Sequence, residues 1–441
     1  MKRLYYWIAF LLFFSCTSKE NQMVSEKELL VDIQIESGIK NLVDQFLLSE
    51  VVQDIEIIPL ETCEKSVFSR SWNISIGEED LFVNTFENIL RFDRKTGRYQ
   101  NTIGKMGQGP TDIFYCKGCG LDERKRLVYT LSYPFGKNEV KSFTYDGVWQ
   151  NTIKVARDGA WMEAGHFSGA DRTYYYLNGK HVFRRMLPIQ DGSKDLWQIG
   201  IADSAGKYLF KITDPACLDH QKVLTDHVIG KEPIDVGIVN NAIFSGSPIQ
   251  NRYYNHINYL FSGNDTIYRY SEKQNVFKPR YILHCGKRPD FETIHKMSRD
   301  ENYYSCLFVN NVLETRPYLY LCANRGIDSY LCRVDKENGT ISSIRNQGVY
   351  KESSFWKVKY PEVDPPSFTN DLCGGLPFYP FDQDDRRWIA VYEASDLLEQ
   401  IDVEELKSTE VLMPEKKEQL IRVLENLKED DNPVVMVATL K

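Results

Sequence analysis

The chain has 441 residues, 42% of them hydrophobic and 26% charged, a composition that supports a large buried core and excludes a disordered chain. Its 54 basic residues stand against 62 acidic ones, a net charge of −8, and no basic stripe interrupts that balance. Nucleic acid is thereby excluded as a partner, because its binding is driven by neutralising phosphates with a basic face.

At the N-terminus Lys2 and Arg3 precede the apolar run Leu4 to Phe14, and Ser15 leads into Cys16. The run falls short of the roughly 20 apolar residues that a bilayer crossing needs, so it reads as a lipoprotein export signal. Ser15-Cys16 is where a lipid would be attached and the peptide cut. The expected organisation is a signal peptide over 1–15, a flexible tether over 16–30 and one domain over 31–441. The expected location is the bacterial cell envelope, at the outer membrane, with the lipid on Cys16 as the membrane contact.

The body of the chain then predicts strand after strand. Asp80–Val83, Ile89–Phe92, Leu127–Tyr129, Lys141–Tyr145 and Thr173–Leu177 are short and rich in aromatic and β-branched residues. Between the strands, Asp93 to Gly97, Asp146-Gly147, Asn178-Gly179, Asp191-Gly192, Ala205-Gly206 and Asn338-Gly339 supply residues that accept positive φ in tight turns. Ile89–Asp93 with Gly97, Val140–Asp146 with Gly147 and Leu331–Asp335 with Gly339 share one layout. Repeated meanders with no helices between them predict an all-β propeller, because a small sheet cannot bury both faces alone and must stack on neighbours around an axis. Long insertions near 155 to 195 and 215 to 260 obscure the repeat, so spacing alone does not give the number of blades. Aromatic residues, 13% of the chain, suit such sheets, or contacts to carbohydrate and peptide.

Gly104 to Pro110 sets glycines beside Lys105 in the manner of a phosphate cradle. A P-loop needs Gly-Lys followed by Ser or Thr and a helix, whereas Pro110 and a strand-like run follow here. The segment reads as a turn between blades. Ten cysteines are present; with Cys16 set aside nine remain, so one thiol at least is unpaired within the chain. Cys116 and Cys119 form a C-x-x-C that is open to three readings: a redox pair, half of a zinc site, or a local disulfide. Gly118 and Gly120 place it at a turn, and the next candidate ligands, Cys217 and His220, are far along the chain.

Catalytic patterns are thin. The seven histidines form no H-x-x-x-H or H-E-x-x-H, and no G-x-S-x-G elbow exists. Glu78-Glu79 and Asp384-Asp385 are acidic pairs, but neighbours on a strand face opposite sides, which suits a solvated turn or edge better than glycosidase carboxylates. Near the C-terminus, Ser395 to Leu406 and Pro414 to Leu427 have helical spacing, with Pro414 suited to a first turn. The run Val434 to Leu440 predicts a strand sharing a blade with the region near Ile55–Ile58 and closing the ring.

Val51 to Thr62, Ile89 to Arg94 and Ile103 to Pro110 resemble the opening of the six-bladed β-propeller lipoproteins of gut anaerobes, relatives of NHL-repeat propellers. Phe261 to Tyr268, Pro279 to Tyr281 with Gly286, Asn370 to Phe378 and Glu429 to Pro433 are similar to later segments of that family. The chain departs from it at Thr111-Asp112, where the family usually carries Glu. The resemblance implies six blades and a secreted, lipid-anchored propeller with no assigned activity. Two classes follow: a noncatalytic module binding a glycan, peptide or protein, or a hydrolase or lyase acting on a carbohydrate or lactone at the funnel, with calcium as its cofactor.

Overall fold

The computed structural model describes residues 30–441 apart from 69–72, 86, 115, 133–138, 156–173, 185–198, 213–248, 254–255, 261–264, 272–275, 289–300, 353–358 and 385. The export signal with Cys16, and the Asp191-Gly192 turn, lie outside the described residues. Among the described residues no helix is long and apolar enough to cross a membrane.

Six antiparallel sheets follow one another as the blades of a propeller. Four-stranded meanders over 73–103, 116–154, 174–212 and 308–347 make the first, second, third and fifth blades, and 249–283 makes the fourth. In the sixth blade, Asp382–Asp384, Arg387–Tyr392 and Val434–Leu440 come from the C-terminal end of the chain. The outermost strand, Val52–Pro59, comes from its N-terminal part. Ile55 stands opposite Ala438 and Ile57 opposite Met436, so this antiparallel pair closes the ring.

The apolar pattern follows from this arrangement. A blade packs on a neighbour with each face, so successive residues of one strand, which point to opposite faces, enter different cores. Val434, Met436 and Ala438 join the core between the fifth and sixth blades, while Val435 and Val437 join the one between the sixth and first. Leu319, Leu321 and Ala323 likewise separate from Tyr320 and Cys322. Among the described residues each of the six junctions between blades holds such a cluster. At the fifth junction Trp388 lies 5.0 Å from Phe368 and 5.6 Å from Tyr320, centroid to centroid.

Before entering the sixth blade the chain belts the outside of the ring. Val31–Ile33 adds a fifth, parallel strand to the fourth blade, with Val31 opposite Tyr281. The chain continues through the short helix Ile35–Gly38, bridges Leu42 to Ser343 on the fifth blade, and bridges Leu47 to Thr369. Asp32 meets His284 at 2.8 Å, and Glu36 and Glu50 pair with Arg325 and Arg333.

Two local readings are corrected. The helix expected over 395–406 is two helices, Ala394–Gln400 and Val403–Ser408. Ile401 is extended, and the Asp402 carboxylate accepts from the backbone N–H groups of Glu404 and Glu405, which starts a new helix. The last helix is Pro414–Leu424. Cys116-Lys-Gly-Cys119 is not a turn but part of the inner strand Cys116–Asp122, with a bulge between the two cysteines. Its glycines serve close packing: a Cβ on Gly120 would stand 2.3 Å from the Cβ of Tyr176 on the next inner strand.

Candidate functional site at the propeller axis

The first strand of each blade lines the axis, and at one end the loops after these strands surround a cavity of about 910 Å³. Its lining includes Ser75 and Glu78 of the first blade, Asp122 to Lys125 of the second, Tyr175, Tyr176 and Asn178 of the third, Arg252 of the fourth, and Gln383, Asp384 and Arg387 of the sixth. Tight turns bring these groups to the rim. Asn178 and Gly179 both have positive φ, 44° and 86°, which holds the two-residue turn between Tyr174–Leu177 and Lys180–Arg184.

The wall groups are tied to one another. Arg387 donates through Nε to both Asp384 oxygens at 3.0 Å and through Nη1 and Nη2 to the carbonyls of Gly77 and Ile76 at 3.1 Å, joining the sixth blade to the first. Asp122 accepts from the Tyr176 hydroxyl at 3.0 Å and lies 3.5 Å from Lys125 Nζ. Burial, with Tyr129 and Asp122 beside it, pushes the Tyr176 phenol above its ordinary range, so it stays a donor. Tyr176 also stacks on Tyr129 with centroids 4.3 Å apart. Glu123 Oε1 accepts from the backbone N–H of Glu78 at 3.0 Å.

Behind this wall Gln383 clamps the backbone of Glu314, accepting from its N–H at 2.9 Å and donating to its carbonyl at 2.6 Å. The fully buried Glu314 carboxylate accepts from Asn258 at 2.6 Å, Arg269 at 2.7 Å and Tyr281 at 3.1 Å, and lies 3.0 Å from Lys336 Nζ. Burial alone would raise its pKa, but the charges of Arg269 and Lys336 and the bond from Asn258 bring it down to about 2. This hub ties the fourth, fifth and sixth blades together at the axis.

Of the residues singled out in the sequence, Glu78 and Asp384 reach the cavity while Cys119 contributes to its wall. Cys116 carries a free thiol. Burial pushes the Cys116 thiol up to about 12, against a 2.9 Å contact with the Thr130 hydroxyl. Among the described residues no group of three or more His, Cys, Asp or Glu stands together to hold a metal ion. Of the lining carboxylates, Asp384 is held by Arg387, Asp122 by Tyr176 and Glu123 by a backbone N–H, whereas Glu78 is exposed at the rim. Gly104 to Pro110 joins the first blade to the second, with Gly109 N–H donating to Asp112 at 2.9 Å, and no helix follows it. The sequence did not single out Arg387, Arg252, Gln383, Tyr176 or the Glu314 hub, whose members come from different blades and share no local spacing.

A six-bladed ring closed by its two ends, with a polar cavity on its axis, defines the class as an axial-cavity β-propeller. The chain belongs to the family described as "Domain of unknown function (DUF4934)", which matches residues 30–439. The fold is similar to that of a candidate exported protein of Bacteroides fragilis, at 12% identity and a TM-score of 0.55, covering 94% of this chain and 100% of that one. A GH74 enzyme of Niastella koreensis (12% identity, TM-score 0.36) is covered over 40% of its length by 68% of this chain. Apo AztD of Citrobacter koseri (9% identity, TM-score 0.35) is covered over 75% of its length by 70% of this chain. No curated protein matches the sequence.

Proposed function

We propose that the protein is an envelope binding module, held to the outer membrane by a lipid on Cys16, that takes a ligand into the axial cavity and releases it unchanged. The observation that carries this reading is the state of the wall carboxylates. Asp384 is held by Arg387 and Asp122 by Tyr176, so neither is poised as a free general base or nucleophile. The wall is thus preorganised for recognition, which lowers the ordering cost of binding. Export fits the positively charged start and short apolar run before Cys16, and it fits the likeness in fold to a candidate exported protein.

The test has two arms. Cys16→Ser in the producing cell should move the protein from the membrane fraction to the soluble one; unchanged membrane retention would remove the lipid anchor. Calorimetric titration of the full chain with glycans and peptides should give saturable binding without product. Release of a cleaved or eliminated product would replace the binding reading with an enzymatic one.

A further inference from the structure

The rim of the axial cavity differs from its wall. Glu78 and Arg124 both line the cavity, stand on the first and second blades, and are exposed. No ion pair joins them, and neither side chain has a partner among the described residues. One strong acceptor and one strong donor therefore face the same opening without satisfying each other. Over the whole lining the four acids Glu78, Asp122, Glu123 and Asp384 are matched by the four bases Arg124, Lys125, Arg252 and Arg387, so it carries no net charge. Tyr175 adds aromatic surface, and Asn178 adds a side-chain amide that both donates and accepts.

We propose that the ligand of this cavity is a neutral oligosaccharide, an inference that rests on the binding reading above and names its ligand class. A charge-balanced lining gives no net attraction to a polyanion or polycation. A lining this rich in ionised groups disfavours an apolar molecule, whose entry would strip water from charges without replacing the lost bonds. A hydroxyl is both donor and acceptor, so adjacent sugar hydroxyls donate to the Glu78 carboxylate and accept from the Arg124 guanidinium at one time. The apolar face of a pyranose ring suits a tyrosine ring. The cavity, at about 910 Å³, lies at the upper end of the range for small-molecule sites, which suits a short oligosaccharide.

The experiment titrates the full chain, in detergent, with neutral hexose oligosaccharides, uronic-acid oligosaccharides and short peptides, comparing wild type with Glu78→Ala and Arg124→Ala. Both substitutions lie on exposed loops and leave the wall bonds in place. For a neutral oligosaccharide each should weaken binding roughly tenfold, with little dependence on salt. If only uronic-acid oligosaccharides bind, with Arg124→Ala weakening and Glu78→Ala strengthening them, the ligand class is overturned while the site stands. Peptide binding weakened by both variants has the same consequence. Oligosaccharide binding untouched by either substitution overturns the site, and a full panel without binding overturns the ligand class.

Discussion

At the residue scale, two kinds of position set the stability of this propeller in separable ways. Gly97 has a φ of +71°, and a Cβ there would stand 1.9 Å from the Pro59 carbonyl oxygen of the sixth blade. Gly339 has a φ of +73° with nothing within 4 Å of such a Cβ. Gly339→Ala should therefore cost about 1 kcal/mol from the backbone alone, and Gly97→Ala considerably more, compared by urea denaturation. Equal costs would show that the contact with Pro59 yields without penalty. His181 is fully buried, with Nδ1 2.8 Å from the Tyr174 hydroxyl, and burial lowers its pKa from 6.5 to about 4. The neutral form is thus the folded form. Its contribution is complete above pH 6.5 and is lost as the pH falls toward 4, where the unfolded chain binds a proton that the folded one refuses. A wild-type chain should lose on the order of 3 kcal/mol through this window. His181→Phe should flatten that slope, and a slope of the same size in the variant would assign it elsewhere.

At the scale of the elements, the Glu314 hub joins three blades through one carboxylate. Its depressed pKa acts in the same direction, although here the charged form is the folded one: its stabilisation is present above pH 4.5 and is lost as the pH falls toward 2, below the His181 window. Glu314→Gln removes the counter-charge that this carboxylate gives to Arg269 and Lys336. It should cost about 3–5 kcal/mol, read as a fall in the urea midpoint at pH 7. A change below 1 kcal/mol would show that the clamp of Gln383 on the backbone, rather than the charges, holds these blades. Strands and turns were legible where the chain announces them locally. Asp93 to Gly97 and Asn178-Gly179 require positive φ, and Val434 to Ala438 is apolar at every step because both of its faces are buried. Val31–Ile33 was not legible: it is a three-residue strand whose conformation comes from the edge of the fourth blade, not from its own pattern. The division of the expected helix over 395–406 turned on a single side chain, Asp402, whose capping role competes with helical spacing that runs across it.

At the scale of the whole molecule, the ring converts positions far apart in sequence into one cavity. Glu78, Asp122, Tyr176, Arg252 and Asp384 share no spacing that a linear reading could use, yet each sits on or just after the first strand of its blade. The sequence therefore yielded the fold and single members of the site, such as Glu78 and Asp384, but not their association. The Cys116-Cys119 motif shows the reverse: its spacing attracts notice, while its glycines are accounted for by packing against Tyr174 and Tyr176. The most direct measurement of the central claim is mass spectrometry of the ligand recovered after prolonged incubation with the full chain. The titrated ligand should be recovered at its original mass, in amounts that saturate with protein. A ligand shortened by hydrolysis or altered by elimination, at a rate that grows with protein concentration, would contradict it.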